Sequence, residues 1–146
     1  MEDTRRNARR LLEKAVDFHG HLGPFLILGI RMGLIAQSLL KPQGQNDMTV
    51  VMLVKPDPPE SCTVDGVQVA SGCTLGKGTI DISEASDRIV GKFRARNGRC
   101  TIAVATQVLN ELKDGVVRAL DEAILQMAED VMARSDAELF EVTLDA

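Results

Sequence analysis

The two histidines of the chain lie two positions apart, in the segment FHGHLGPF at residues 18–25. Neutral imidazole is a common ligand of zinc and other transition metals, so His19 and His21 could bind one ion if their rings converge. The alternative is structural, because a cationic histidine near the C-terminus of a helix stabilises that terminus. A turn between two apolar helices favours the metal-binding interpretation, since an imidazole buried there needs a polar partner.

Cys62 lies in the first turn of a helix predicted over residues 60–70. A helix N-terminus stabilises a thiolate and lowers the pKa of the thiol. We therefore interpret Cys62 as a catalytic nucleophile or as a third metal ligand beside His19 and His21. The alternative is a small buried apolar side chain, the commonest role of a free cysteine.

A glycine-rich segment, SGCTLGKG, follows that helix at residues 71–78. It does not match a P-loop, which needs four residues between its glycines and a Ser or Thr directly after the lysine. Its backbone N–H groups, with Lys77, could still hold an anion, whereas a tight turn that needs glycine dihedral angles is the alternative. The candidate cofactor-binding residues are Gly72, Gly76, Lys77 and Gly78.

Cys73 lies in this segment, close to Lys77, and is a second candidate for an activated catalytic thiol. A continuous helix between Cys62 and Cys73 would separate them by about 16 Å, too far for a disulfide. Cys100, in a predicted strand, is expected in the core.

Composition excludes several classes of protein. The 146 residues include 45% apolar residues and fit a single domain, 1–146. Four Phe and no Tyr or Trp argue against stacked nucleic-acid bases, and a net charge of −4 argues against a broad phosphate footprint. No apolar stretch is long enough to span a membrane. An odd number of cysteines without an export signal predicts reduced thiols in the cytoplasm.

Hydrophobic periodicity and turn signals predict an α+β fold with a mostly antiparallel sheet packed against helices. The second helix is apolar nearly all round, and Gly29 and Gly33 would let another backbone approach it closely, which favours a dimer core. Asn97 and Gly98 predict a hairpin. The predicted helices cover residues 4–17, 24–40, 60–70 and 109–134, and the predicted strands cover 48–55, 79–82, 88–96, 99–106 and 138–144.

Three segments together resemble the FmdE family, which takes its name from formylmethanofuran dehydrogenase. They are FHGHLGPFLILGIRMG, CTVDGVQVASGCTLGKGTI and SDAELFEV, in that order along nearly the whole chain. The resemblance implies an intertwined α+β homodimer with a cleft for a small ligand. It also implies that His19, His21, Cys62 and Cys73 line this cleft, with Lys77 nearby.

Two departures from the family pattern alter what the resemblance implies. Many relatives have His-Leu-Cys-Pro after the first motif, whereas this chain has Gly23 in place of that cysteine. The sequence resembles the short form of the family, which lacks a C-terminal zinc finger built on cysteine pairs. The family name refers to a molybdenum or tungsten enzyme of methanogenesis, so such an oxidoreductase is an implied partner.

Three functions remain open from the sequence, and whether the chain is an enzyme is open with them. The first is a metal-binding protein, with zinc bound by His19, His21 and Cys62. The second is an accessory or chaperone protein of a molybdopterin-dependent oxidoreductase, with the glycine-rich segment on the pterin phosphate. The third is a thiol-based redox protein that uses Cys62.

Overall fold

Two helices flank the histidine segment in the computed structural model, which describes residues 3–85, 87–118 and 121–145. Helix α1, Arg5–His19, ends at Gly20, whose φ of 105° is left-handed and whose N–H donates to Val16 O at 2.7 Å. Helix α2, Pro24–Leu40, begins with a proline, whose missing N–H costs nothing at that position. The first helix ends two residues later than predicted, and His19 is its last residue.

The remaining elements follow the predicted order with two additions. Strand β1 is Thr49–Leu53, α3 is Cys62–Ser71, β2 is Ile80–Ser83, β3 is Val90–Ala95 and β4 is Gly98–Val104. They are followed by α4, Thr106–Arg118, α5, Asp121–Ala133, α6, Asp136–Leu139, and β5, Phe140–Asp145. In the part of the chain that the structure describes, no helix has both the length and the apolar character needed to cross a membrane.

The five strands form one mixed sheet in the order β2-β1-β3-β4-β5. Strand β2 is parallel to β1, and the other three pairings are antiparallel. The predicted α+β class and mostly antiparallel sheet are confirmed. In strand β1, Val50 and Met52 are buried whereas Thr49 and Val51 are exposed. The helices cover only one face of this strand.

The predicted hairpin forms, but its turn lies one residue earlier than expected. Ala95 pairs with Gly98, so Arg96 and Asn97 are the loop residues. The Asn97 side chain donates to the carbonyl oxygen of Leu40 at 3.1 Å, at the end of α2. This contact satisfies a helix-terminal carbonyl group and selects the position of the turn.

Helix α2 is buried by its own chain. Thirteen of its seventeen residues are buried, and it contacts α1, α3, α5 and strands β3 and β4. Its apolar surface therefore does not require a second protomer, contrary to the interpretation from the sequence. Arg31 is fully buried on this helix and donates to Asp136 Oδ1 at 2.8 Å and to Thr4 Oγ1 at 2.9 Å. These bonds compensate for the desolvation of the guanidinium group and fix α1 and α6 against α2.

The single helix predicted over residues 109–134 is two helices, α4 and α5. A Cβ atom at Gly115 would lie 2.7 Å from Met127 Cε. Twelve residues of continuous helix would separate these positions by about 18 Å. The contact therefore requires α5 to run back along α4 instead of continuing it. Val116 of α4 and Ile124 of α5 both line one cavity as a result.

Candidate metal centre

Glycines bring the start of α3 against the start of α2. A Cβ atom at Gly29 would overlap the carbonyl oxygen of Thr63, and one at Gly66 would overlap the carbonyl oxygen of Leu26. The two backbones are therefore in direct contact, as Gly29 predicted from the sequence. Cys62, the first residue of α3, consequently lies beside the turn that carries the histidines.

One ligand atom each from His19, His21 and Cys62 lies within 4.8 Å of the other two. The two imidazole ring centroids are 4.5 Å apart, with an angle of 40° between the planes. Bonds of about 2.0 Å to nitrogen and 2.3 Å to sulfur around a tetrahedral zinc ion place its ligand atoms about 3.5 Å apart. Small side-chain rotations would bring the three atoms to that separation.

Asp65 fixes the orientation of the His19 ring. His19 Nδ1 donates to Asp65 Oδ2 at 2.6 Å, and Gln68 Nε2 donates to the other carboxylate oxygen at 3.2 Å. A carboxylate only accepts, so Nδ1 carries a proton, and in the neutral ring that a metal requires the lone pair is on Nε2. Histidine ligands of zinc commonly have this carboxylate partner on the second nitrogen.

The second nitrogen of His19 is buried without a partner. His19 Nε2 makes no hydrogen bond to any of the described residues, and the side chain is only 10% exposed. Leaving a buried polar atom unpaired is costly. A metal ion would supply the missing partner, and two imidazoles with a thiolate are a donor set that zinc accepts. The residues at this site therefore fit a transition metal.

Burial raises the pKa of the Cys62 thiol, and the negative charges of Asp65 and Glu60 raise it further. The direction is opposite to the lowering predicted from its position at a helix N-terminus, because desolvation and two carboxylates outweigh the helix. A thiol in this setting is protonated at neutral pH unless a cation compensates its charge. The environment therefore suits a metal ligand better than an isolated nucleophile.

Glu60 is a buried carboxylate next to Cys62. It is 4% exposed, its Oε2 atom accepts no hydrogen bond from the described residues, and Lys113 Nζ lies 3.7 Å away. Three acidic residues, Asp57, Glu60 and Asp65, lie within five positions of Cys62 in the sequence. The structure separates their environments: Asp65 contacts His19, Glu60 is buried against α4, and Asp57 is exposed.

A cavity of about 90 Å³ adjoins the three candidate ligands. Apolar side chains from α2, α4, α5 and the segment before α3 form most of its wall. Its lining residues are His19, His21, Gly23, Pro24, Phe25, Leu26, Pro59, Cys62, Val116 and Ile124. Gly23, where many relatives have cysteine, is part of this lining, so the absent thiol would have been a neighbour of the site.

Cys73 and Lys77 do not line this cavity in the described part of the chain. They follow the C-terminal end of α3, whereas Cys62 begins it, and the ten residues of this helix span about 15 Å. Cys73 is 1% exposed and its thiol donates to Met48 O at 3.3 Å. Burial raises the pKa of the Cys73 thiol despite the nearby Lys77 charge. The implied common cleft for both cysteines therefore does not form within one chain.

The glycine-rich segment uses most of its backbone donors internally. The N–H groups of Gly72, Cys73, Thr74, Leu75, Lys77 and Gly78 donate to acceptors of the same chain. Lys77 Nζ donates to Gln45 O at 2.8 Å. Gly72 and Gly78 have positive φ angles of 76° and 68°, as the tight-turn interpretation requires. Anion binding by Gly72, Gly76, Lys77 and Gly78 stays a prediction.

The fold and the site define an α+β protein with a His₂Cys group that could hold a metal ion. The chain belongs to the FmdE family: the family model, described as "FmdE, Molybdenum formylmethanofuran dehydrogenase operon", matches residues 18–141. A protein of Archaeoglobus fulgidus described as "Probable S-adenosyl-L-methionine-binding protein" is 40% identical over 78 residues, which are 49% of this chain and 20% of that protein. The matched segment is thus about a fifth of the length of that relative.

Proposed function

We propose that the protein binds a zinc ion through His19 Nε2, one ring nitrogen of His21 and Cys62 Sγ. Two observations carry this proposal: His19 Nε2 is buried and has no partner among the described residues, and one ligand atom each of His19, His21 and Cys62 lies within 4.8 Å of the other two. Three protein ligands leave one position open, which is typical of catalytic zinc sites.

Zinc in such a site supplies Lewis-acid chemistry to a ligand at its open position. Asp65 accepts from Nδ1 and would hold the His19 ring with Nε2 available to the metal. The apolar wall with Phe25, Val116 and Ile124 limits the water that reaches the cavity. Cys62 would hold the metal as a thiolate, because the positive charge of the ion would offset the burial and the two carboxylates that raise the pKa of the thiol.

Elemental analysis of protein purified without an affinity tag tests the proposal. We expect about one zinc per chain in the wild type and a loss of most of it in Cys62→Ser and in His19→Ala. Cys73→Ala is the matched control, since this cysteine is also buried but lies at the other end of α3. Less than about a tenth of an equivalent of any transition metal in wild-type protein would reject a metal centre.

We propose as a second candidate an accessory role for a molybdopterin-dependent oxidoreductase. The description of the family model, which names a molybdenum formylmethanofuran dehydrogenase operon, supports it. Lys77 and the glycines at 72, 76 and 78 would then contact the pterin phosphate. Native purification tests this role: a pterin or a large oxidoreductase chain that elutes with the protein, and is lost in Lys77→Ala, is the expected result. Elution without either would reject it.

We propose that the protein forms a homodimer through the edges of its sheet. Ile82 in β2 and Val142 and Leu144 in β5 are 51%, 40% and 55% exposed. Ile82 pairs with Met52, Val142 with Ile102 and Leu144 with Cys100. Paired residues of neighbouring strands point to the same face, so these three side chains lie on the face that the helices cover elsewhere in the sheet. Sedimentation equilibrium should give a dimer mass that Val142→Glu reduces to a monomer. A wild-type monomer at tens of micromolar would reject the dimer.

A thiol-based redox function and binding of S-adenosyl-L-methionine have less support. The pKa of Cys62 is raised, and its nearest cysteine in sequence, Cys73, follows the opposite end of α3. The nucleoside named for the A. fulgidus relative is much larger than a cavity of about 90 Å³. The described cysteines are free, which fits the cytoplasmic location that we propose for the chain.

A further inference from the structure

We propose that the cavity beside the candidate metal centre takes a small, neutral ligand with an apolar end of about three carbon atoms. The inference rests on the proposed metal centre for the position of the ligand's polar atom. It adds to that proposal the chemical class of the ligand that the cavity selects.

The cavity volume limits the size of the ligand. A cavity of about 150 Å³ lined by Leu, Ile and Phe holds one benzene molecule. The cavity here is about 90 Å³, so it has room for roughly two thirds of such a ring, or three to four non-hydrogen atoms. A molecule with one donor atom and a three-carbon chain fills this space.

The wall of the cavity favours an apolar, uncharged ligand. Six of the ten lining residues are Pro24, Phe25, Leu26, Pro59, Val116 and Ile124, and the described lining includes no Lys, Arg, Asp or Glu. An anionic group would have no cation to pair with against this wall, and burying an unpaired charge is costly. The two nearest carboxylates add to this cost, since Asp65 contacts His19 and the charge of Glu60 acts on Cys62.

The candidate metal ligands of the cavity form one group. One ligand atom each of His19, His21 and Cys62 lies within 4.8 Å of the other two, whereas Val116 and Ile124 contribute apolar side chains to the wall from α4 and α5. A ligand would therefore place its donor atom at this group and its apolar end against the apolar side chains. We expect the size of the Ile124 side chain to limit the length that fits.

Xenon binding to metal-free protein tests the apolar cavity without reference to a metal, since dry apolar cavities of this kind bind xenon. We expect one xenon atom beside Phe25 and Ile124 in pressurised crystals of wild-type protein, and none in Ile124→Phe. Leu125→Phe is the matched control, because Leu125 is the next residue of α5, is 47% exposed and does not line the cavity. A cavity without xenon in wild-type protein would overturn the proposal.

A series of thiols measured by calorimetry on zinc-loaded protein tests the length and charge. From methanethiol to 1-propanethiol, we expect the affinity to rise about fourfold for each added CH₂ group, the effect of burying one methylene. It should then fall for 1-hexanethiol, and Ile124→Ala should restore binding of the longer chain. An affinity that does not change with the length of the thiol would overturn the proposed ligand size. Equal affinities for 3-mercaptopropionate and 1-propanethiol would overturn the preference for an uncharged ligand.

The two experiments separate this inference from the proposed function. Protein that holds xenon but no zinc would reject the metal centre and leave the apolar cavity established. Protein that holds zinc through Cys62 but neither binds xenon nor distinguishes the thiols would reject the ligand class alone.

Discussion

The imidazole of His19 donates from Nδ1 to Asp65 Oδ2 at 2.6 Å, a bond that joins the last residue of α1 to the first turn of α3. The bond occupies Nδ1 and leaves Nε2, which is buried without a partner among the described residues, for a metal. It also ties α1 to α3, the two helices that carry His19 and Cys62. The geometry of the site therefore depends on a residue that is not itself a proposed ligand.

Substitution of Asp65 should weaken metal binding while the three ligands remain. We expect zinc affinity to fall about 10-fold in Asp65→Asn, which can still accept from Nδ1 but carries no charge, and up to about 100-fold in Asp65→Ala. Competition with a chromophoric chelator measures both values. Asp57→Asn, at an exposed carboxylate, should leave the affinity within twofold. An unchanged affinity in Asp65→Ala would mean that this contact does not orient the ligand.

Metal binding should release a proton from Cys62. Burial and two carboxylates raise the pKa of this thiol, so it is protonated at neutral pH in metal-free protein and must ionise to bind a metal. We expect zinc affinity to increase about tenfold per pH unit between pH 6 and 8. Calorimetry in buffers of different ionisation enthalpy counts the protons, and Cys62→Ser should release about one fewer than the wild type. Equal proton release in both proteins would contradict the assignment.

The direct contact of α2 with α3 makes Gly66 sensitive to a single methyl group. At an exposed position inside a helix, a Gly→Ala substitution raises the free energy of unfolding by about 1 kcal/mol. At Gly66 the new Cβ would overlap Leu26 O, so we expect Gly66→Ala to lower the free energy of unfolding by about 1–3 kcal/mol or more. Urea denaturation measures the change.

Gly44→Ala is the control for this substitution, because a Cβ there meets no described atom within 4 Å. It should leave the stability within about 0.5 kcal/mol. Gly66→Ala should also reduce zinc affinity, since it moves Cys62 away from the histidines. A Gly66→Ala protein as stable as the wild type would be incompatible with the close approach of the two helices.

Cys100 should make the free energy of unfolding depend on pH in the alkaline range. Burial in β4 raises the pKa of its thiol from about 9 to about 11. A raised pKa in the folded state means that the folded protein holds this proton more tightly than the unfolded chain. The contribution is complete below about pH 9 and is lost as the pH rises toward 11. It amounts to about 2–3 kcal/mol, from 1.36 kcal/mol per pKa unit.

Denaturation of Cys100→Val between pH 8 and 11 checks this linkage, since valine keeps an apolar side chain and has no proton to lose. We expect the variant to lose less stability than the wild type over this range. Parallel curves for the two proteins would show that the thiol ionises equally well in both states.

The sequence by itself determined the first three helices, most strands, the α+β class and the three candidate ligands. Apolar periodicity, Pro24 and the Asn97–Gly98 pair are local signals, and local signals are enough to define elements. His19, His21 and Cys62 could be selected because their side chains are typical metal ligands. Gly29 also indicated a close backbone approach, although the approaching partner, α3, could not be named.

Only the tertiary structure decided which of these residues meet. Helix α1 ends at His19, and the glycine contact between α2 and α3 brings Cys62 next to the histidines. The length of α3 puts Cys73 at the opposite end of that helix. Burial and the charges of Asp65 and Glu60 reversed the expected direction of the Cys62 pKa. The turn between α4 and α5 brought Val116 and Ile124 to the same cavity. These outcomes depend on distances between segments remote in sequence, and desolvation and Coulomb interactions act through space, so local sequence patterns do not contain them.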